Sequence, residues 1–148
     1  MSYKWDRRFL QLATIVADWS KDPSTRVGCV LVDDKRRVVG MGYNGFPRGV
    51  SDAPARYDDR ATKYLMVQHA EANAILNAVG SVEGTTAYVT LHPCASCSGL
   101  LIQSGVRRIV THMPEGAVAA RFADSFKAAR VMLEEAEVVL DYEGACYG

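Results

Sequence analysis

Two short words, His69-Ala70-Glu71 and Pro93-Cys94-Ala95-Ser96-Cys97, constrain this 148-residue chain more than anything else in it. Each opens a segment that reads as a helix, and the strand-like run TTAYVTL at 85–91 lies between them. Pro93 suits the first turn of a helix, where its missing N–H costs nothing. A spacing of three places both cysteine sulfurs on one side of that turn. His69 and Glu71, two apart, would diverge in mid-helix, but first-turn side chains can fan around the helix end. A C-x-x-C alone is ambiguous among a disulfide, a redox pair and half of a metal site. With His69 the set becomes His and Cys₂, three zinc-type ligands that leave a fourth tetrahedral position for water, as in catalytic zinc sites. The positive helix ends favour the thiolates. Glu71, beside a ligand but not needed as one, is placed to take the water's proton.

Periodicity sets these words in an α/β frame. Trp5, Phe9, Leu12, Val16 and Trp19 recur at steps of four, three, four and three, one stripe of a helix stopped by Ser-Lys-Asp-Pro at 20–23. This stripe reads as core packing, not as a platform for stacking bases. VGCVLVDD (27–34) is a buried strand, and RVVGMGYNG (37–45) returns as its hairpin partner through 33–36. The polar stretch 46–64 reads as a long loop, of the kind that is usually functional. A helix is expected over 69–79, closed by Gly80, then strand 85–91, a second helix from Cys94 and strand 106–112. Val118, Phe122, Phe126, Ala129 and Leu133 mark one further helix, and 137–142 a last strand. The order α-β-β-α-β-α-β-α-β predicts a single domain over 1–148. Its mixed five-stranded sheet is covered by helices on both faces, with only the first hairpin antiparallel.

The balance of seventeen basic and seventeen acidic side chains offers no whole-chain attraction for nucleic acid, and no run is of signal-peptide or membrane-spanning kind. A cytoplasmic setting is expected, with reduced cysteines. Cys29 reads as a core residue, Cys146 as a free thiol in the tail, and His112 as the end of a strand. Arg107 and Arg108 read most simply as a solvated strand start, although one could face a subunit interface. Lys21 can be read as merely flanking a helix stop, and Asn44 as an ordinary Asn-Gly turn.

H-x-E with P-C-x-x-C matches the signature of the zinc nucleobase deaminases. The chain resembles the cytidine and deoxycytidylate deaminase family, most closely its deoxycytidylate (dCMP) branch. SKDP (20–23), VG (27–28), GYNGFPRG (42–49), SD (51–52) and NAI (73–75) carry the likeness over roughly residues 5–110. The resemblance implies a three-layer α/β/α sandwich and hydrolytic deamination of dCMP to dUMP. One catalytic zinc per chain would sit on His69, Cys94 and Cys97, with Glu71 moving the protons. It further implies that the Ala70 N–H holds the base carbonyl, that Asn44 contacts the sugar, and that Arg26, or else His92, holds the 5′-phosphate. By the same likeness dCTP would activate and dTTP inhibit at a site built from Lys21, Gly42, Asn44, Gly45 and Arg48, with Mg accompanying the triphosphate. The chain would be a homo-oligomer, a hexamer by resemblance, without membrane or nucleic-acid partners. Two rivals stay open: a tRNA adenosine deaminase, and a zinc-stabilised binding module without chemistry. A thioredoxin-like oxidoreductase leaves His69 and Glu71 unexplained.

Overall fold

The computed structural model describes residues 3–144. Helix α1 (Tyr3–Ala17) precedes the hairpin β1 (Gly28–Val32) and β2 (Val38–Tyr43). Three short helices follow: α2 (Pro54–Asp58), α3 (Arg60–Met66) and α4 (Ala70–Leu76). Then come β3 (Thr86–Val89), α5 (Ala95–Gln103), β4 (Arg108–Thr111), α6 (Gly116–Arg121), α7 (Ala123–Glu135) and β5 (Val139–Tyr142).

The strands form one mixed sheet in the order β2-β1-β3-β4-β5. The β3-β4 and β4-β5 pairs are parallel, as helical crossovers require. The hairpin is not the only antiparallel pair, contrary to the expectation from element order. β1 lies between β2 and β3 and runs antiparallel to both, so the connection through α4 passes over β1 and joins two strands of the same direction.

Alternation along the strands divides the core in two. Val30, Val32, Tyr88 and Val110 face α1, whose Phe9, Leu10, Ala13 and Val16 cover them. Cys29, Leu31, Ala87, Val89 and Ile109 face the opposite way, toward Ala70 and Ala74 of α4, Leu101 of α5 and Leu133 of α7. The result is a three-layer α/β/α arrangement. Two glycines set how closely the helices approach. A Cβ on Gly28 would lie 2.0 Å from the Ala13 carbonyl oxygen, and one on Gly42 2.3 Å from the Ala74 nitrogen. α1 and α4 therefore rest directly on strand backbone, on opposite faces of the sheet.

That close approach rotates α1 away from the face its large side chains suggest. The buried residues are Asp6, Phe9, Leu10, Ala13, Val16 and Ala17. Trp5 and Leu12 are half-buried and Trp19 is exposed. Small alanines win the contact because only they fit against Gly28. Elsewhere the 46–64 stretch is not an open loop. Pro54 opens α2, and Asp59 caps α3 by accepting from the Thr62 N–H. α4 ends at Leu76 instead of reaching Val79, whose N–H donates to the Val39 carbonyl. The stripe from Val118 to Leu133 is also broken. Phe122 (φ −109°, ψ 20°) separates α6 from α7, and α6 buries none of its residues.

Arg108 is not a solvated strand start. It is buried, and its guanidinium grips Asp6 of α1 through two bonds of 2.9 and 2.7 Å while Nε donates to Asp141 of β5 at 2.8 Å. The Tyr88 hydroxyl adds a bond of 2.9 Å to Asp6. Burial alone would raise the Asp6 pKa, but these hydrogen bonds and the Arg108 charge hold it below the ordinary 3.8. The pairing thus stabilises the fold fully above that ordinary value and is lost as the pH falls through the lower folded one. Removing one partner of a buried pair costs about 3–5 kcal/mol, so Asp6→Ala should lower unfolding stability in urea by that order. Asp6→Asn should flatten the loss of stability that the wild type suffers below pH 3.8. An unchanged urea midpoint in Asp6→Ala would show the pair to be neutral.

Candidate active site

The two sequence words meet where two helices begin. His69 is the N-cap of α4, with extended backbone (φ −76°, ψ 156°), so its ring is free to turn off the helix end. Cys94 is the N-cap of α5, where its sulfur accepts from the Cys97 N–H at 3.4 Å. The Ala95 N–H, another first-turn donor, goes to Ser125 Oγ of α7 at 2.9 Å. His69 Nδ1 lies 3.2 Å from Cys97 Sγ and 3.6 Å from Cys94 Sγ. All three ligand atoms fall within 4.8 Å of one another. Zn–S bonds of about 2.3 Å and Zn–N bonds of about 2.0 Å at a tetrahedral angle separate nitrogen and sulfur by roughly 3.5 Å. The donor set and its spacing fit zinc, with Nδ1 as the histidine ligand.

Shared hydrogen bonds prepare these donors. The Cys97 thiol donates to Cys94 and pulls its pKa down to about 4, helped by His69. His69 in turn is raised, chiefly by its bond to Cys94. Glu71, in the first turn of α4, is buried beside them, and burial pushes its carboxyl up to about 7. A carboxyl with that value can both take and give a proton near neutrality, which suits general acid–base work. Cys29 lies fully buried in β1, and burial raises its thiol pKa well above the ordinary range.

A cavity of about 430 Å³ opens over this group. His69, Ala70, Glu71 and Cys94 line it together with Asn44 and His92. Its outer wall is built by α3 and α6, which contribute Arg60, Lys63, Tyr64 and Arg121. Arg60 is exposed and has no polar partner among the described residues. Arg121 hydrogen-bonds the Tyr64 hydroxyl, and its guanidinium lies 5.7 Å from the Tyr64 ring centroid and 5.2 Å from that of Phe122. Sequence reasoning missed both arginines. Arg60 sat in a stretch read only as loop, and Arg121 on a helix taken as continuous. The composition of 46–64, rich in charge and following the GYNG word, was the one available signal.

Of the remaining predicted residues, Asn44 and His92 line the cavity, and Arg26, Lys21, Gly42, Gly45 and Arg48 do not. Arg26 is exposed, donates from Nε to the Asp22 carbonyl at 3.2 Å, and does not line the cavity. His92 is buried, and its Nδ1–H donates to the Pro93 carbonyl at 2.8 Å. Burial lowers its pKa, and its Nε2 is buried without a hydrogen-bond partner among the described residues. Asn44 lines the cavity, but its amide is occupied: Oδ1 accepts from the Val27 N–H at 2.8 Å and Nδ2 donates to the Thr25 carbonyl at 2.9 Å. Of the glycines in this loop, two are engaged within the fold. Gly42 is buried beneath α4, and the Gly45 N–H donates to the Gln68 carbonyl. Lys21 is exposed and ion-paired with Asp52 at 3.0 Å, and Arg48 donates to Asn77 at 2.8 Å. Cys146 lies outside the described residues.

Residues 3–113 match the model of the cytidine and deoxycytidylate deaminase zinc-binding region. The chain belongs to this family. A deaminase of Aliivibrio fischeri is 41% identical over 138 residues, covering 93% of this chain and 92% of its own. The deoxycytidylate deaminase of Mus musculus is 36% identical over 156 residues, covering 95% and 86%. The dCMP deaminase of cyanophage S-TIM5, solved with dCMP and dUMP, superposes with a TM-score of 0.73 at 21% identity over 96% of this chain and 98% of that one. At that identity the superposition bears on the fold, and it agrees with the sheet and helix layers described above. No helix among the described residues is long and apolar enough to cross a membrane.

For a deaminase of this family, metal analysis should find one zinc per chain. His69→Ala, Cys94→Ala and Cys97→Ala should each lose it, while Cys29→Ser keeps it. Two zincs per chain, or a zinc-replete Cys94→Ala protein, would contradict the ligand set.

Proposed function

We propose that this chain deaminates dCMP hydrolytically, giving dUMP and ammonia. The observation that carries this reading is the buried Glu71 carboxyl beside the His69, Cys94 and Cys97 donors, at the floor of a cavity whose rim holds the Arg60 and Arg121 guanidinium groups. The likeness to curated deoxycytidylate deaminases supports the choice of nucleotide. Zinc, which His69, Cys94 and Cys97 would hold, would supply the Lewis acidity that makes water nucleophilic at neutral pH. Glu71 accepts the proton released from that water and delivers it to ring nitrogen 3 of cytosine. The water oxygen bonds to carbon 4, and as the C4–N bond breaks Glu71 carries the remaining water proton to the departing amino group, so water and dCMP become dUMP and ammonia and the carboxyl returns to its starting state. Ala70 occupies the first position of α4, where the N–H has no intrahelical acceptor, and is suited to hold the base carbonyl.

Arg60 and Arg121 replace Arg26 and His92 as the residues for the 5′-phosphate. Both line the cavity, and Arg60 is free of competing carboxylates. A guanidinium offers two parallel donors to phosphate oxygens, and its stacking on Tyr64 holds Arg121 in place. The outer surface also carries apolar side chains suited to self-association: Leu76 and Val79 are 78% and 86% exposed, and Tyr43 and Trp19 are exposed as well. We extend the proposal to a homo-oligomer, hexameric as in the resemblance, working in the cytoplasm. Control by dCTP and dTTP with Mg rests on that resemblance alone, since Lys21 and Arg48 are engaged with Asp52 and Asn77.

Two measurements test this reading. Glu71→Gln should keep its zinc and bind dCMP but lose turnover by about 10²–10⁴, the range of general acid–base catalysis. A variant within tenfold of wild type would place the proton on another group. Arg60→Ala and Arg121→Ala should each lower kcat/KM for dCMP by about 1.5–3 kcal/mol, the scale of a charge-assisted hydrogen bond, and leave deoxycytidine turnover nearly unchanged. Equal losses on nucleotide and nucleoside would remove both from the phosphate.

A further inference from the structure

One buried ion pair in the cavity wall has no part in the chemistry above. Lys63 of α3 reaches inward with only 11% of its side chain exposed. Its ammonium lies 3.0 Å from Asp22 Oδ2 and 3.2 Å from Oδ1, and donates to Ser24 Oγ at 2.9 Å. The ammonium is thus held by the Asp22 carboxylate and the Ser24 hydroxyl, both in the 20–27 segment. Asp22 is equally committed. Its Oδ1 accepts from the Ser24 N–H at 2.9 Å, the Ser24 hydroxyl at 3.0 Å and the Thr25 N–H at 3.2 Å.

Asp22 is thus the knot of the segment 20–27, and Lys63 ties that knot to α3. The same segment is tied to the end of β2. Ser20 Oγ donates to the Asn44 carbonyl at 2.8 Å, and the Asn44 side chain holds Thr25 and Val27 from the other side. Gly45 then bridges to Gln68, the neighbour of His69, through bonds of 3.1 and 2.8 Å. Asp22, Ser24, Thr25 and Val27 form one wall of the cavity, and Arg60, Lys63 and Tyr64 form the next. α3 is seven residues long and buries only Lys63. The ion pair ties that one buried side chain to the 20–27 wall.

We propose that Lys63 is a positioning residue: through Asp22 it holds α3 and the 20–27 segment at the separation that a nucleotide needs. Replacing a buried ion pair by apolar side chains is often neutral for stability, so stability alone does not account for keeping charge here. Directionality does, because an ammonium that hydrogen-bonds both Asp22 and Ser24 restricts where α3 can sit. The Glu71 and metal-ligand side chains stand on helix starts packed on the sheet, outside this clamp. The proposal rests on the nucleotide reading for its substrate but not for its structural content.

The test compares wild type, Lys63→Met, Lys63→Arg and Asp22→Asn, each loaded with zinc. Measurements are kcat and KM for dCMP and deoxycytidine, melting temperature, and amide hydrogen exchange at Ser24, Thr25 and Val27. In Lys63→Met, exchange at these amides should accelerate and KM for dCMP should rise about tenfold to a hundredfold, the scale of ångström-level misplacement, with kcat within about threefold and zinc retained. Lys63→Arg should recover most of the KM, and Asp22→Asn should resemble Lys63→Met. Unchanged exchange with a KM loss confined to dCMP would make Lys63 a direct phosphate contact and overturn the proposal. A parallel fall of kcat, zinc content and melting temperature would reduce it to a general structural role and also overturn it. If wild type fails to deaminate dCMP while the exchange difference persists, the substrate reading falls and the clamp stands.

Discussion

The site depends first on how closely α4 lies on the sheet. Gly42 leaves no room for a side chain under Ala70 and Ala74, and those alanines are themselves fully buried. With backbone against backbone, the start of α4 is fixed relative to β1 and β2, and with it His69 and Glu71. α5 follows β3, next to β1 in the sheet, so its own start lies beside that of α4. Two helix ends with their positive potential then face a common point, which suits thiolates and a negatively polarised water. A larger residue at Gly42 would move the histidine away from the cysteines before it affected any ligand directly.

Buried charge is used at two places with different consequences. Asp6, Arg108 and Asp141 join α1 to β4 and β5 at a distance from the catalytic group, and none of them lines the cavity. They hold a helix that meets the sheet through Phe9, Leu10 and Val16 and, at its closest approach, through Ala13 against Gly28. Asp22 and Lys63 do line the cavity and join segments with little apolar burial of their own. The catalytic floor therefore stands on core elements, and the rim on short helices held by polar contacts. Local opening free energy follows buried contact, so the rim is the part that moves first.

The sequence made the floor legible because its chemistry comes in contiguous words. H-A-E and P-C-A-S-C each place their functional side chains within one helical turn, and the α/β alternation brings the two words together. The sheet was legible for the same reason: β1 is apolar on every residue and buried on every residue. The antiparallel β1-β3 pair was not, because element order constrains crossovers between neighbouring parallel strands but not which strand fills the gap between them. Arg108 and Asp6 stand 102 residues apart. Each alone reads as an ordinary surface charge, and only the fold reveals the partner. The rim was hidden similarly. Arg60 and Arg121 belong to different helices, one in a stretch without periodicity and one beyond a break at Phe122 that the apolar spacing conceals.

The split between floor and rim also bears on how a site of this kind comes to choose its substrate. Proton transfer and metal binding need placement to a fraction of an ångström, which elements packed on a sheet supply and a mobile loop does not. Selecting a nucleotide needs only that cations stand at the right distance from the base, and a short helix can carry them. α3 and α6 can change sequence, length or angle without disturbing Gly42, Ala70 or the two helix starts. Asn44 stands at the join, because its amide is spent on the 20–27 wall while its neighbour Gly45 pairs with the residue before His69. A shift of the rim reaches the floor through that pair of backbone hydrogen bonds. Coupling between phosphate recognition and the catalytic histidine would therefore run through Asn44 and Gly45, with the ring of His92 packed against Phe126 as a second, apolar contact between α7 and the cysteine-bearing segment.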